Sequence, residues 1–197
     1  RSKPDENAEL IARKGDEHER HHLAKLRESV RDVVDIAELG GDLETRAQNT
    51  LEAMRRGVEV IYQATLRDGC WIGHADFLHR VDEVPSALGH WSYEVSDTKL
   101  ARNPKAKFAV QLAYYSQLVA KAQGRLPEQM WLVLGDGSRK IYRVADFVYY
   151  LESVQRRFLE AVTALTGGLR SAPYPSPCDY CSVCHWQARC DQRRRDD

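Results

Sequence analysis

The alternation of apolar and polar positions changes period several times along the chain, and each change marks an element. Residues 7–30 set Leu10, Ile11, Leu23 and Leu26 among charges, the spacing of an amphipathic helix with a broad solvated face. Val33, Val34 and Ile36 predict a short strand closed by Gly40-Gly41. Residues 43–56 predict a helix stopped by Gly57. From Val58 the period becomes two, with Val58, Val60, Tyr62 and Ala64 alternating until Gly69 turns the chain. Further strands follow over 71–81 and 92–100, so three consecutive β segments predict a meander. Pro104 precedes a helix over 105–123 ended by Gly124. Residues 130–134 and 141–144 pair as a hairpin about Gly135-Asp136-Gly137, and a last amphipathic helix covers 145–165 before Gly167-Gly168. Pro173, Pro175 and Pro177 then form a stiff connector. This order predicts one α/β domain over residues 1–172, with an N-terminal helical region. A cysteine-rich tail over 173–197 is expected to pack on the same domain.

Composition narrows the function. The 197 residues carry 29 Lys+Arg against 29 Asp+Glu, so a general polyanion-coating protein is excluded and any nucleic-acid contact must come from local patches. No apolar run approaches the ~20 residues that span a bilayer. With 43% hydrophobic residues the chain can bury a core, which excludes global disorder. Four of its five cysteines, Cys178, Cys181, Cys184 and Cys190, crowd the C-terminus, while Cys70 stands apart. The polar opening Arg1-Ser2-Lys3-Pro4-Asp5-Glu6 carries no secretory signal. The crowded thiols therefore read as a reduced metal site in a cytoplasmic protein rather than a disulfide framework. The start without Met predicts an excerpt of a longer polypeptide.

Two strands carry the most suggestive chemistry, Gly73-His74-Ala75-Asp76-Phe77-Leu78 and Tyr93-Glu94-Val95-Ser96-Asp97-Thr98-Lys99. Residues two apart share a face, so Asp97 and Lys99 point together while Glu94 and Ser96 point away. If the strands are neighbours, Asp76 meets Asp97. Two carboxylates and an ammonium then make a compact site for a hard cation, Mg²⁺ or Mn²⁺. Phosphodiester hydrolysis needs this set: carboxylates to hold a cation, and a lysine to position water and offset charge developing on the phosphate. By itself Asp-x-Lys is also met as an ordinary surface ion pair.

The order of these motifs resembles the PD-(D/E)XK nuclease superfamily, in its RecB-like branch. Gly73-x-x-Asp76 matches the first acidic motif, Asp97-Thr98-Lys99 the (D/E)xK motif, and Gln111-Leu112-Ala113-Tyr114-Tyr115 the Q-x-x-x-Y element of the following helix. Gly15-Asp16-Glu17-His18-Glu19 resembles the helix motif whose histidine joins the metal. The resemblance runs from about Gly15 to Cys190. It implies a restriction-endonuclease-like core, a mixed sheet flanked by helices, with Asp76, Asp97 and His18 as ligands of Mg²⁺ or Mn²⁺. Lys99 becomes the catalytic lysine, and Gln111 and Tyr115, four apart on one helix face, orient the substrate. Glu94 is left out of the set by strand parity. His74 shares a face with Asp76 by that same parity.

Cys181-x₂-Cys184-x₅-Cys190 resembles the C-terminal cysteine triplet of the iron–sulfur-bearing members of that branch, the AddB-type and CRISPR-adaptation nucleases. This implies a structural [4Fe–4S] cluster, with Zn²⁺ as the rival. The upstream cysteine of those proteins has no counterpart before Cys70. The fourth ligand is Cys178, a residue outside this chain, or Cys70. Lys99, Arg102, Lys105 and Lys107, and on the tail Arg189, Arg193, Arg194 and Arg195, can neutralise phosphates. Trp71, Trp91, Trp131 and Trp186 are either core or stacking platforms.

The expected function is a metal-dependent nuclease acting on DNA, single-stranded or with ends, beside or fused to a helicase as the resemblance implies. The competing expectation is a nuclease fold kept as an inactive DNA-binding or scaffolding module stapled by a metal. A third is a redox-sensing iron–sulfur protein.

Overall fold

The computed structural model describes residues 6–167 and 174–197, with side chains from residue 9 onward. The expected Gly168 stop and Pro173 lie outside the described residues. Contacts divide the chain into two compact units. The larger is Gly15–Ser153; the other comprises residues up to Lys14 together with Val154–Asp197.

The larger unit is built on a six-stranded sheet with strands in sequence order. These are β1 (Val33–Asp35), β2 (Val60–Asp68), β3 (Trp71–Ser86), β4 (Gly89–Lys99), β5 (Gln129–Leu134) and β6 (Arg139–Arg143). β2, β3 and β4 form the expected antiparallel meander, β1 joins β2 in parallel, and β5 joins β4 in parallel before the β5–β6 hairpin. A parallel neighbour needs a crossover, and α4 (Ala106–Gln123) supplies it between β4 and β5. The result is an α/β domain, as the order of elements predicts, with the mixed, helix-flanked sheet of the restriction-endonuclease-like core that the resemblance implies.

One face buries the main core. α3 (Leu43–Arg56) and α4 place Ala53, Met54, Leu112, Ala113 and Val119 over Ile61, Leu78, Tyr93, Val95, Met130 and Leu132. On a second cluster, Leu23 and Leu26 of α1 (Glu6–Ser29) pack with Val60, Tyr62 and Phe77. Each such aliphatic side chain contributes about 1.5–3 kcal/mol when fully buried. α1 therefore rests on a much smaller apolar contact than α4 does.

The ends of the elements depart from the sequence expectation where apolar alternation gives out. Ile36 does not continue β1; it opens the one-turn helix α2 (Ile36–Leu39), because Asp35 Oδ1 accepts the Ala37 and Glu38 N–H groups at 2.9 and 3.2 Å. β3 runs to Ser86 rather than Val81, and β4 starts at Gly89. That extension carries Asp82, Glu83 and Pro85, holds a register shift between Asp82 and Ser86, and puts Glu83 at φ 61°. It is held by polar contacts instead of apolar faces. Ser86 Oγ donates to Trp91 O at 2.6 Å and accepts the Leu88 N–H at 3.1 Å, and Ala87 N–H reaches Gln123 O at 2.8 Å.

Gln123 fastens α4 to the sheet. It is fully buried, takes the Tyr93 N–H on Oε1 at 2.7 Å, and donates Nε2 to Tyr93 O and Arg125 O at 3.3 and 2.8 Å. The β4–β5 ladder begins only at Val95, so the Gln123 amide stands in for the missing strand at Tyr93.

In the second unit, α5 (Ala145–Thr166) continues through Val154, and the tail forms a short turn at Cys181–Val183 and then α6 (Gln187–Asp196). Arg194 bonds Pro175 O at 3.0 Å and pairs with Asp191. No helix among the described residues is long and apolar enough to cross a membrane.

Replacing Gln123 by Leu orphans the Tyr93 backbone groups in a dry place. Gln123→Leu is expected to destabilise the chain by roughly 2–5 kcal/mol in urea unfolding, with an unchanged m-value. A change within about 0.5 kcal/mol would contradict this role.

Candidate active site

The site forms where the central strands stop pairing. The β3–β4 ladder ends at Phe77↔Ser96, and the β2–β3 ladder runs through Tyr62↔Phe77 and Ala64↔Ala75 without a Gln63–Asp76 rung. At that step the alternation slips by one residue. Ile61 and Ala64, like Ala75 and Leu78, all face the main core, although a continuous pleat would put each pair on opposite faces. Gln63 carries the slip in its backbone, with φ 53°, a left-handed conformation uncommon for a residue with a Cβ.

Asp76 occupies this interruption. Its Oδ2 accepts the Thr98 backbone N–H at 3.0 Å and the Thr98 hydroxyl at 3.3 Å, so a carboxylate replaces the backbone partner that β3 would have supplied. Asp97 is completely buried, with Lys99 Nζ 2.7 Å from both its oxygens. Only Oδ1 receives a well-directed hydrogen bond, and Oδ2 is buried without one. The Lys99 side chain is 24% exposed and its ammonium lies 5.6 Å from the Phe108 ring centroid, so it bridges from the dry carboxylate toward solvent.

Burial and then the adjoining Asp97 carboxyl push Asp76 up to about 8, although the Thr98 N–H and Lys99 pull the other way. Burial draws Lys99 down, but Asp97 and Asp76 outweigh it and hold its pKa above the ordinary value. Two acids and one ammonium thus share a pocket that still lacks positive charge.

The other expected residues fall into two groups. Gln111 Nε2 donates to the Tyr115 hydroxyl at 2.8 Å on one face of α4. Tyr115 is raised above its ordinary pKa by burial and then by the charges of Asp97 and Asp76, which places it beside the acids. Gly73 makes that approach possible. A Cβ there would sit 2.8 Å from the Tyr115 ring and 2.7 Å from Leu118. Glu94 accepts the Gln129 N–H at 2.9 Å, a structural bond away from the acids. His74 is exposed and its Nδ1 lies 3.3 Å from Thr65 Oγ1, turned away by the slip at Asp76.

α1 offers a residue that the sequence reading passed over. Glu19 is raised by burial and then by the charge of Asp76, while hydrogen bonds from Tyr62 and Gln63 oppose the rise. His18, one position earlier, lines a different cavity with His22 and Arg139. Glu19 stands four and seven residues before the buried Leu23 and Leu26, and a carboxylate in line with an apolar stripe was the available signal.

Among the described residues, no three His, Cys, Asp or Glu side chains gather closely enough to grip an ion as they stand. The donors nevertheless suit a hard cation. Mg²⁺ is commonly held by one or two carboxylates, with water and substrate phosphate completing its shell. The abutting acids and the orphaned Asp97 Oδ2 supply that pair. In the tail, the four cysteines are free thiols, as is Cys70 in the larger unit, and Cys178 Sγ and Cys181 Sγ approach to 3.9 Å.

The chain matches the PD-(D/E)XK nuclease superfamily over residues 2–191, and it belongs to that superfamily. Members are generally nucleases and typically use Mg²⁺ or Mn²⁺. No curated protein matches the chain at a significant level.

Asp76 leads to a pH effect on the metal-free protein. Its folded pKa of about 8 lies above the ordinary 3.8, so between those values the folded state holds a proton that the unfolded state has released. The Asp76 contribution to stability is then greatest below about pH 4, falls through the window, and carries the full penalty above pH 8, with a slope of up to about 1.4 kcal/mol per pH unit. In EDTA, Asp76→Asn is expected to flatten this fall; an identical pH profile in the variant would contradict the buried acid pair.

Proposed function

We propose that the chain is a metal-dependent nuclease that hydrolyses DNA phosphodiester bonds, single-stranded or at ends. The reading rests on one observation: the half-buried Asp76 carboxyl abuts the fully buried Asp97 carboxyl, with Lys99 2.7 Å from the latter. Asp76, Asp97 and, from α1, Glu19 would hold Mg²⁺ or Mn²⁺. This gives Glu19 the place that the resemblance assigns to His18, because Glu19 feels the charge of Asp76 while His18 lines the neighbouring cavity. Such a cation, when bound, polarises a phosphoryl oxygen and acidifies a coordinated water.

The chain's own groups do the rest. Lys99, held by Asp97, points its ammonium toward the solvent side, where it can hydrogen-bond an attacking water and offset charge gathering on the phosphate. Asp97 keeps that ammonium charged. Thr98 fixes Asp76 through two hydrogen bonds, so the carboxylate need not reorganise when its proton leaves. Tyr115, oriented by Gln111, presents a neutral hydroxyl at the edge of the acids and can donate to a non-bridging phosphate oxygen.

The tail belongs to the same proposal. Cys178, Cys181, Cys184 and Cys190 would hold a structural [4Fe–4S] cluster, with Zn²⁺ as the alternative. The 3.9 Å between the first two sulfurs is near the ~3.8 Å edge of a tetrahedron with 2.3 Å zinc–sulfur bonds, a spacing that favours the Zn²⁺ alternative, since the cysteines of a [4Fe–4S] cluster each bind a different iron.

End-labelled single- and double-stranded DNA is expected to be cut with Mg²⁺ or Mn²⁺ and left intact in EDTA. Asp97→Ala and Lys99→Ala should each lower the rate by at least about 100-fold while the circular dichroism stays folded. Glu19→Gln should weaken the Mn²⁺ dependence more than His18→Ala does. DNA binding without cleavage under every metal condition would favour the inactive module instead.

A further inference from the structure

Beside the acid pair lies a second concavity with the opposite electrostatic character. A cavity of about 240 Å³ opens between α1 and the β5–β6 turn, where Gly137 at φ 83° brings the turn round. His18, His21, His22 and Lys25 line it from α1, and Arg139 from the first position of β6. Among the described residues, no carboxylate lines it. The arrangement follows from the helix repeat. His18, His22 and Lys25 succeed one another at four and three residues, so one face of α1 presents them all, next to the apolar stripe that docks the helix.

Two features make this more than a solvated basic face. The Nε2 atoms of His18 and His22 are both buried with no hydrogen-bond partner in the protein. Such atoms ordinarily have one, from protein, water or ligand. Positive charge is felt there as well: burial and then the neighbouring Arg139, His18 and Lys25 lower His22 to about 4, with Asp76 opposing them. Arg139 and Lys25 bring two positive charges to the cavity wall, and a guanidinium fork is the side chain best suited to the oxygens of a phosphate. His22 packs edge-on against Phe77, the neighbour of Asp76 in β3, with ring centroids 5.2 Å apart, so the cavity lies near the acids.

We propose that this cavity is a phosphate-binding site, in which Arg139 and Lys25 with the orphaned imidazoles of His18 and His22 take a phosphate group of the DNA strand next to the one at the acids. This rests on the nuclease reading for the identity of the ligand, but the chemistry of the cavity stands by itself. The phosphate is either a terminal monoester, which would count from a strand end, or an internal phosphodiester, which would only anchor the strand.

The test uses the full chain in EDTA, so that binding is read without turnover. Fluorescence anisotropy measures a single-stranded oligonucleotide bearing a 5′-phosphate, a 3′-phosphate or hydroxyls at both ends. Thermal shift measures inorganic phosphate. Arg139→Ala and Lys25→Ala alter exposed positions, and Arg139→Lys keeps the charge without the fork. Inorganic phosphate is expected to stabilise the wild type and not Arg139→Ala. The same variant should bind the oligonucleotide at least about tenfold more weakly and with a salt slope smaller by about 0.7, one phosphate contact on a single strand. Arg139→Lys should fall between. Tighter binding conferred by a terminal phosphate in the wild type alone assigns the site to strand ends, and equal binding of all three assigns it to the backbone. Phosphate binding lost in Arg139→Ala, with no cleavage of DNA by the wild type in Mg²⁺ or Mn²⁺, upholds the site and removes the nuclease reading. Unchanged phosphate stabilisation and unchanged DNA affinity in both alanine variants would overturn the proposal.

Discussion

Two carboxyl groups pressed together out of water are the constraint on which this structure turns. Asp97 is buried with an ammonium against it, and Asp76 abuts it with only Thr98 and the far side of Lys99 for support. Like charges at that range in a poorly solvated place cannot both persist. Either Asp76 keeps a proton or a cation enters. Packing alone would gain more from apolar residues at both positions, so the cost is sensible only where an ion is to be bound.

The surrounding fold holds that costly pair in place. The slip at Gln63 frees Asp76 from the pleat and sends its carboxyl into the fork between β3 and β4. Gly73 leaves room for Tyr115 and Leu118 to seat α4 directly on β3, and Gln123 pins the other end of α4 to β4. On the opposite face, His79 stays neutral, lowered to about 3 by burial and then by His22 and Arg139. It bonds Ser96 at 2.8 Å and packs on Trp131. Acidic groups thus collect in the fork and basic ones beside it, an arrangement that a net charge of zero conceals.

Much of this was legible in the chain. The meander, α4 and the β5–β6 hairpin follow from clean period-two and helical runs bounded by glycine. The joining of Asp97 to Lys99 and of Gln111 to Tyr115 follows from fixed side-chain periods. What could not be read has one common cause: a local departure from regular geometry leaves no mark on hydrophobic spacing. The slip at Gln63 invalidates parity arguments across it, which is why His74 turns away from the acids. The polar end of β3 is paired through Ser86 and Gln123 and carries no alternation. Glu19 sits among histidines that carry the more obvious metal chemistry, whereas its alignment with the buried Leu23 and Leu26 is what turns it inward.

The central claim is that Asp76 and Asp97 share one divalent cation. Diffraction at the manganese absorption edge from crystals of the full chain soaked in Mn²⁺ tests it most directly. The account expects one anomalous peak within about 2.6 Å of an oxygen of each carboxylate, the outer range for hard-cation contacts, and its loss in Asp97→Asn. Peaks only elsewhere, or separate ions on the two acids, would contradict it.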